Sequence, residues 1–324
     1  LTAGLSYINI EKYTTTKGVV CDAIPVSYQI FGPPLHTAPI VLVNHALTGN
    51  SEVTGPQGWW KRLIGPGQCV DTHQYTVLVF NIPGNGYDGI EAHLIEDYKR
   101  YIARDIAAIF AEALDLLGIK KLYAVIGGSV GGGIAWELAV LQPSLIDHLV
   151  AIATDWKSSD WLIANCLIQE RILLNSSDPI HDARLHAMLI YRTAESFKLK
   201  FRRTINETLG VYNIESWLLH HGEKLKERFA LKAYKSLNHI LGNIDITAGR
   251  GSFKEVAKTI TANIHMISVD TDTFFTASEN VATATMLRDI GSNVTHGMIH
   301  SVHGHDAFLI EYEQLTNLLG SVFK

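Results

Sequence analysis

Cysteine is scarce: three in 324 residues, Cys21, Cys69 and Cys166. They are widely spaced and form no Cys-x-x-Cys pair. That argues against a disulfide framework or a cysteine-built zinc site and fits a reducing compartment. Charge is thin as well. Asp, Glu, Lys and Arg make up 18% of the chain, the formal net charge is -5, and no long basic run occurs, so nucleic acid is not an expected partner. Long apolar runs are missing too. None approaches the ~18 uninterrupted residues of a membrane span, so no membrane partner is expected. The opening stretch LTAGLSYINIEKYTTTKG has neither a basic n-region nor an apolar core. It does not read as a secretory leader, and a cytoplasmic location is expected.

What is present is a folded chain with 47% hydrophobic residues, enough for one large α/β domain or two smaller ones. Five apolar runs rich in valine and isoleucine read as buried strands, at 39–46, 75–82, 121–127, 147–154 and 263–270. A more polar run at 293–301 reads as a sixth. Most lack strict alternation, as expected for a sheet covered on both faces. Helical patterns fall between them. In 99–117, Ile102, Ile106, Phe110, Leu114 and Leu117 recur at three- and four-residue steps, and Gly118 is a stop signal. Residues 132–142, 279–290 and 307–320 supply three more. The alternation predicts an α/β fold with a mostly parallel, doubly wound sheet. The stretch 156–255 breaks the pattern, being helix-prone and poor in strand signals. It predicts a helical cap inserted into a core made of 1–155 and 256–324.

The glycine-rich stretch YAVIGGSVGGGIAWELAV lies where a strand pattern becomes a helix pattern. Residues Gly127–Gly131 read G-G-S-V-G and fit G-x-S-x-G, the nucleophile elbow. There the serine takes strained backbone angles, and small neighbours are needed because a Cβ would strike the adjoining strand and helix. The turn lacks the GK[ST] ending of a phosphate loop. A literal G-x-G-x-x-G occurs at Gly84–Gly89, but no helix pattern starts directly after it, no acidic residue ends a second strand ~20 residues on, and Asp105 lies inside a helix. It reads as a coincidental loop. An elbow serine, Ser129, needs a base and an acid, which follow in the chain order Ser, Asp or Glu, His. SVDTDTFF offers Asp270 and Asp272 at a strand end, and HSVHGHDAF offers His300, His303 and His305. Spacing leaves both choices open. These histidines with Asp306 have no fixed metal-binding geometry, and no metal is expected. Two backbone N–H groups should form an oxyanion hole: that of Val130, after the nucleophile, and that of Leu47, in VNHALTGNSE. His45 reads as a structural hydrogen-bonding residue.

At this point the motifs resemble a known family. VNHALTGNSE, GWWKRLIGPG, VDTHQYTVLVFN, IGGSVGGGIAWELAVLQP, the segment GEK…RF, VDTDTFF and GHDAFL are similar, in order and over nearly the whole chain, to those of the homoserine O-acetyltransferases of the α/β-hydrolase superfamily. The resemblance implies an α/β-hydrolase fold with Ser129 as nucleophile, Asp272 as triad acid and His305 as base. It implies Arg184 and Tyr191, in ARLHAMLIYRTAESFKLKF, as residues beside the homoserine carboxylate, an arginine being suited to two-pronged pairing with it. It implies acetyl-CoA or another acyl-CoA as co-substrate, no tightly bound cofactor, small-molecule partners and a homodimer through the cap. The family's G-S-T-G-P-like segment after the second core strand is replaced by NIPGNGYDGIEAHL, and TDWKSSDW also departs from the usual form. Two rivals stand beside the acyltransferase: a serine esterase or other hydrolase on the same scaffold, and a non-catalytic binding protein.

Overall fold

The computed structural model describes residues 4–323. Its centre is an eight-stranded sheet. The strands, in chain order, are β1 (Ser6–Ile10), β2 (Ile24–Phe31), β3 (Ile40–Asn44), β4 (Thr76–Phe80), β5 (Leu122–Gly128), β6 (Ile146–Ile152), β7 (Asn263–Val269) and β8 (Val294–Ile299). Their order across the sheet is β1-β2-β4-β3-β5-β6-β7-β8. From β4 to β8 every pairing is parallel, while β2 runs antiparallel to both β1 and β4. The six expected strands are present within a residue or two, and β1 and β2 were not expected.

Successive side chains of the central strands face opposite ways. Leu42, Leu78, Val125 and Leu149 point into one core layer, whereas Val41, Val43, Val77, Val79, Ile126 and Val150 point into the other. The first layer is closed by α1 (Ala103–Leu116), α2 (Val130–Leu141) and, further along the chain, Ala284 and Leu287. The second is closed by Trp60, Leu63, Phe308 and the C-terminal helix. Burial on both faces explains why these strands read as unbroken apolar runs.

Between β6 and β7 the chain leaves the sheet. It forms α3 (Asp160–Asn175), α4 (Pro179–Tyr191), α5 (Ala194–Phe201), α6 (Asn213–Lys226) and α7 (Leu231–Gly242), then α8 (Phe253–Ala257). The two ends of this excursion meet. Ser158 N–H donates to the Ile244 carbonyl and Ile246 N–H to that of Trp156, and Phe253 stacks on Trp156 at 4.5 Å. The last elements are α9 (Ala277–Asp289) and α10 (Tyr312–Leu319). The helix expected over 307–320 is split, with a 3₁₀ turn over Gly304–Leu309 ahead of α10.

The consequence for function is positional. The ends of β3, β5, β7 and β8 carry His45–Leu47, Ser129, Asp270–Asp272 and His300–His305 respectively. The carboxyl-terminal end of the sheet, where α/β folds place their ligands, gathers the candidates.

Candidate active site

Ser129 follows β5 and precedes the first residue of α2, with φ 56° and ψ -128°. A left-handed φ costs a non-glycine residue about 1–3 kcal/mol, and the surrounding glycines make it sterically feasible. A Cβ on Gly131 would lie 2.3 Å from the Asn44 carbonyl oxygen of β3, and one on Gly127 would lie 2.3 Å from the main chain of Gly131. The turn is therefore as tight as two glycines allow, and it lifts the hydroxyl off the sheet at a helix N-terminus, where negative charge is favoured.

His305 Nε2 lies 3.0 Å from Ser129 Oγ, and His305 Nδ1 lies 2.7 Å from Asp272 Oδ2. The other carboxylate oxygen, Oδ1, accepts the N–H groups of Phe274 at 2.7 Å and Phe275 at 3.0 Å. Asp272 thus has one oxygen fixed by the main chain and the other facing the imidazole. Phe274, Phe275, Phe308 and Tyr191 surround the His305 ring, with centroids 5.0–5.9 Å away. Ser129, Asp272 and His305 are all buried, at 3–4% exposure, so the hydrogen-bond chain is shielded from bulk water.

The other candidates part company. Asp270 accepts from His300 Nδ1 at 3.0 Å and from the Ser301 N–H at 3.0 Å on the protein surface. His303 Nδ1 bonds Ser196 Oγ at 2.9 Å, and Asp306 pairs with Arg192 Nε at 2.8 Å, joining the 3₁₀ turn to the end of α4. The three histidines serve three different partners, and among the described residues no three His, Cys, Asp or Glu side chains converge as a metal-ligand set. Gly84, Gly86 and Gly89 all have positive φ in a loop followed by a single 3₁₀ turn, Glu91–His93. No α-helix N-terminus is there to face a phosphate. Asp105 is saturated by Tyr13 OH, the Thr16 N–H and hydroxyl, and the Ile102 N–H.

Leu47 and Val130 are both buried. Among the described residues neither N–H donates to a protein acceptor. His45 behind them is fully buried, and burial pushes its pKa down to about 4 although the bond to the Ala46 carbonyl pulls the other way. Leu47, Tyr191 and Phe274 also line a small cavity closed by Gln169, His186 and Tyr234 of the helical excursion. Arg184, half-buried on α4, has no carboxylate within ion-pair distance among the described residues. Burial raises the Tyr191 and Tyr234 phenols, Tyr234 to about 12, while the Arg184 charge pulls both the other way, so this guanidinium acts on both hydroxyls. Arg228, not singled out from sequence, donates to the Thr48 carbonyl at 3.0 Å and so joins the α6–α7 connection to the Leu47 loop. The only sequence signal for it is its place in the GEK…RF segment.

Comparison with known proteins fits this geometry. A model of the alpha/beta hydrolase fold matches residues 39–204. A homoserine O-acetyltransferase of Methanococcus vannielii is 31% identical over an alignment covering 97% of this chain and 71% of the relative. The chain belongs to the homoserine O-acetyltransferase family of α/β hydrolases. The solved homoserine O-acetyltransferase of Staphylococcus aureus superposes with a TM-score of 0.82 at 26% identity, covering 97% of this chain and 93% of that one. The fold is also shared with a structure called esterase E22, at a TM-score of 0.87 and 16% identity over 99% of each chain.

In this member of the homoserine O-acetyltransferase family, the departing segment 81–94 is built into a buried polar network. Asn81 Oδ1 accepts the Ser51 N–H at 2.9 Å and Asn85 Nδ2 at 3.0 Å, while Asn81 Nδ2 donates to Ser27 Oγ and Ser51 Oγ. Ser51 Oγ donates to Gln29 Oε1 at 2.6 Å. These contacts join β2, the turn after β4 and the Leu47 loop, across separations that sequence spacing does not report.

Proposed function

We propose that this chain moves an acetyl or similar acyl group from acyl-CoA to the hydroxyl of homoserine or a related hydroxy amino acid, through an acyl-serine intermediate on Ser129. The observation that carries the reading is the buried Ser129–His305–Asp272 hydrogen-bond chain, 3.0 Å and 2.7 Å long, in a member of this family. His305 Nε2 takes the Ser129 proton as Oγ attacks the thioester carbonyl. Asp272 holds the imidazole in place and stabilises imidazolium. The oxyanion is received by the Leu47 and Val130 N–H groups. When the C–S bond breaks, the thiol leaves with the proton from His305. The acceptor hydroxyl then gives its proton to His305 as its oxygen attacks the acyl-serine, and Ser129 is reprotonated on release.

The helical segment 156–255 acts as a cap over the core of 1–155 and 256–324, with Arg184 and Tyr191 holding the acceptor. The guanidinium of Arg184, without an ion-pair partner among the described residues, supports this, since a carboxylate fits its two-pronged donor set. Exposed apolar side chains on the cap, among them Trp161, Leu167, Ile168, Leu174 and Leu189, support a homodimer through this face. The acyl-CoA serves as co-substrate, no tightly bound cofactor is needed, and a cytoplasmic enzyme is consistent with that supply.

The decisive experiment is thiol release from acetyl-CoA by the purified protein with and without L-homoserine. Homoserine-dependent release with O-acetylhomoserine as product is expected. Equal release without homoserine makes the protein a hydrolase. No release with either, together with unchanged turnover of a simple acetyl ester by Ser129→Ala, removes the acyl-serine mechanism.

A further inference from the structure

The Leu47 N–H shares a peptide unit with the Ala46 carbonyl. In a trans peptide the two bonds point in opposite directions, and no cis bond occurs among the described residues. Whatever fixes the Ala46 C=O therefore fixes the direction of the Leu47 N–H. Two donors hold that carbonyl: the Gly49 N–H at 2.9 Å and His45 Nδ1 at 2.8 Å. The far side of the same ring settles its tautomer. His45 Nε2 accepts the Ile82 N–H at 3.0 Å, so the proton sits on Nδ1 and the imidazole is neutral.

Asn85 completes the arrangement. Its Oδ1 takes the Tyr87 N–H at 3.1 Å, which directs Nδ2 toward His45 Nε2 at 3.3 Å and Asn81 Oδ1 at 3.0 Å. Asn85, His45 and Asn81 are all buried, so none of these bonds is readily replaced by water. Both Ile82 and Asn85 lie in the segment that departs from the family's G-S-T-G-P-like pattern.

We infer that Asn85, acting through His45, is a positioning residue that sets the Leu47 N–H for the tetrahedral intermediate. This rests on the reading of Ser129 as nucleophile and Leu47 as oxyanion donor. It assigns the departing segment a place behind the oxyanion loop. Asparagine is required because the position needs a donor toward two acceptors. An aspartate of the same shape sets a carboxylate oxygen against both Asn81 Oδ1 and His45 Nε2. It pulls a proton onto Nε2, and the ring then loses its bond to the Ile82 N–H.

The test compares wild type with Asn85→Ala and Asn85→Asp in two measurements that need neither CoA nor homoserine. One is the burst of Ser129 acylation by p-nitrophenyl acetate. The other is inhibition by phenylboronic acid, whose tetrahedral serine adduct places an oxygen in the oxyanion site. Loss of an oxyanion donor costs about 10²–10³ in kcat, and misalignment costs part of that. The acylation rate should fall by about 10-fold in Asn85→Ala and about 100-fold in Asn85→Asp. KM should stay within about twofold, and boronate affinity should weaken by the same factors as the rate. Melting temperatures identify the folded fraction, and the isosteric aspartate carries the test if the alanine variant does not fold. Unchanged boronate affinity and acylation in folded variants, or an aspartate no worse than alanine, overturns the inference, since a space-filling role ranks the two the other way. If wild type itself forms no boronate adduct on Ser129, the underlying reading falls and takes the inference with it. An adduct in wild type with indifferent Asn85 variants removes the inference alone.

Discussion

Asp270 and Asp272 stand two residues apart at the end of one strand, yet their surroundings are opposed. Asp272 is buried and bonded to two backbone N–H groups and His305, while Asp270 faces His300, whose side chain is 75% exposed. Removing the charge at Asp272 leaves the imidazole without its orienting acceptor. Asp272→Asn should lower kcat by about 10⁴-fold. Asp270→Asn breaks a solvent-exposed pair of small worth and should change kcat by less than about threefold. Steady-state kinetics on both variants decides the matter, and the reverse ranking would move the acid to Asp270. The turn at Ser129 is legible in the sequence because it is local: five glycines around one serine at a strand–helix junction. Spacing does not choose between the aspartates, since both end the same strand; the family motif points to Asp272, and the contact with His305 that marks it reaches across more than thirty residues. His45 reads from the sequence as a hydrogen-bonding residue, but its partners Ile82 and Asn85 are hidden for the same reason, because those contacts exist only between loops.

Elements follow the same rule. The inner strands β3 to β7 are legible because both faces are buried and valine and isoleucine fill them. The edge strand β1 is mostly exposed and reads as ordinary mixed sequence, and β2 alternates with polar Ser27 and Gln29. At the elbow, Gly131→Ala sets a Cβ 2.3 Å from the Asn44 carbonyl oxygen. Neither main chain can yield cheaply, so the variant should lose about 1–3 kcal/mol or more of stability. Gly320→Ala, whose Cβ meets nothing nearer than 3.6 Å, is the matched control. Denaturant unfolding of the pair tests this, and equal midpoints would show that the elbow has slack. A pH effect belongs to the β6–β7 pairing. His148 Nδ1 and His265 Nε2 lie 3.0 Å apart, and His265 is pushed down to about 4 by burial and by His148, whose own pKa is also lowered by burial. A histidine depressed in the fold titrates near 6.5 when unfolded. Its contribution to stability is therefore whole above about pH 6.5 and is lost as pH falls through that value toward 4. His265→Gln should flatten the fall in melting temperature between pH 7 and 4.5, and an unchanged slope would remove the pair as a cause.

At the scale of the whole molecule, the core and the helical excursion are held together around the site by a few polar ties. Arg250 of the excursion pairs with buried Glu137 of α2, Arg104 of α1 donates to the Asp245 and Ala248 carbonyls, Arg192 pairs with Asp306, and Arg228 donates to the Thr48 carbonyl. Arg184 alone among these arginines lacks such a tie among the described residues, although its charge is felt at Tyr191, Tyr234, His221 and Arg228. A half-buried guanidinium amid groups that do not neutralise it is suited to an incoming carboxylate. Arg184→Lys keeps the charge and loses the two-pronged geometry. A charge-assisted contact of this kind is worth about 1.5–3 kcal/mol, so kcat/KM for homoserine should fall by about 10- to 150-fold. Acylation of Ser129 by acetyl-CoA should change little, because the first half-reaction involves no acceptor. Rapid-quench measurement of acyl-serine formation and of its discharge by homoserine separates the two halves. Equal loss in both would make Arg184 a structural tie like its neighbours, and no loss in either would place it outside the site. Discharge by another hydroxyl compound, with homoserine ignored by wild type, would leave the two-step mechanism standing and move the acceptor.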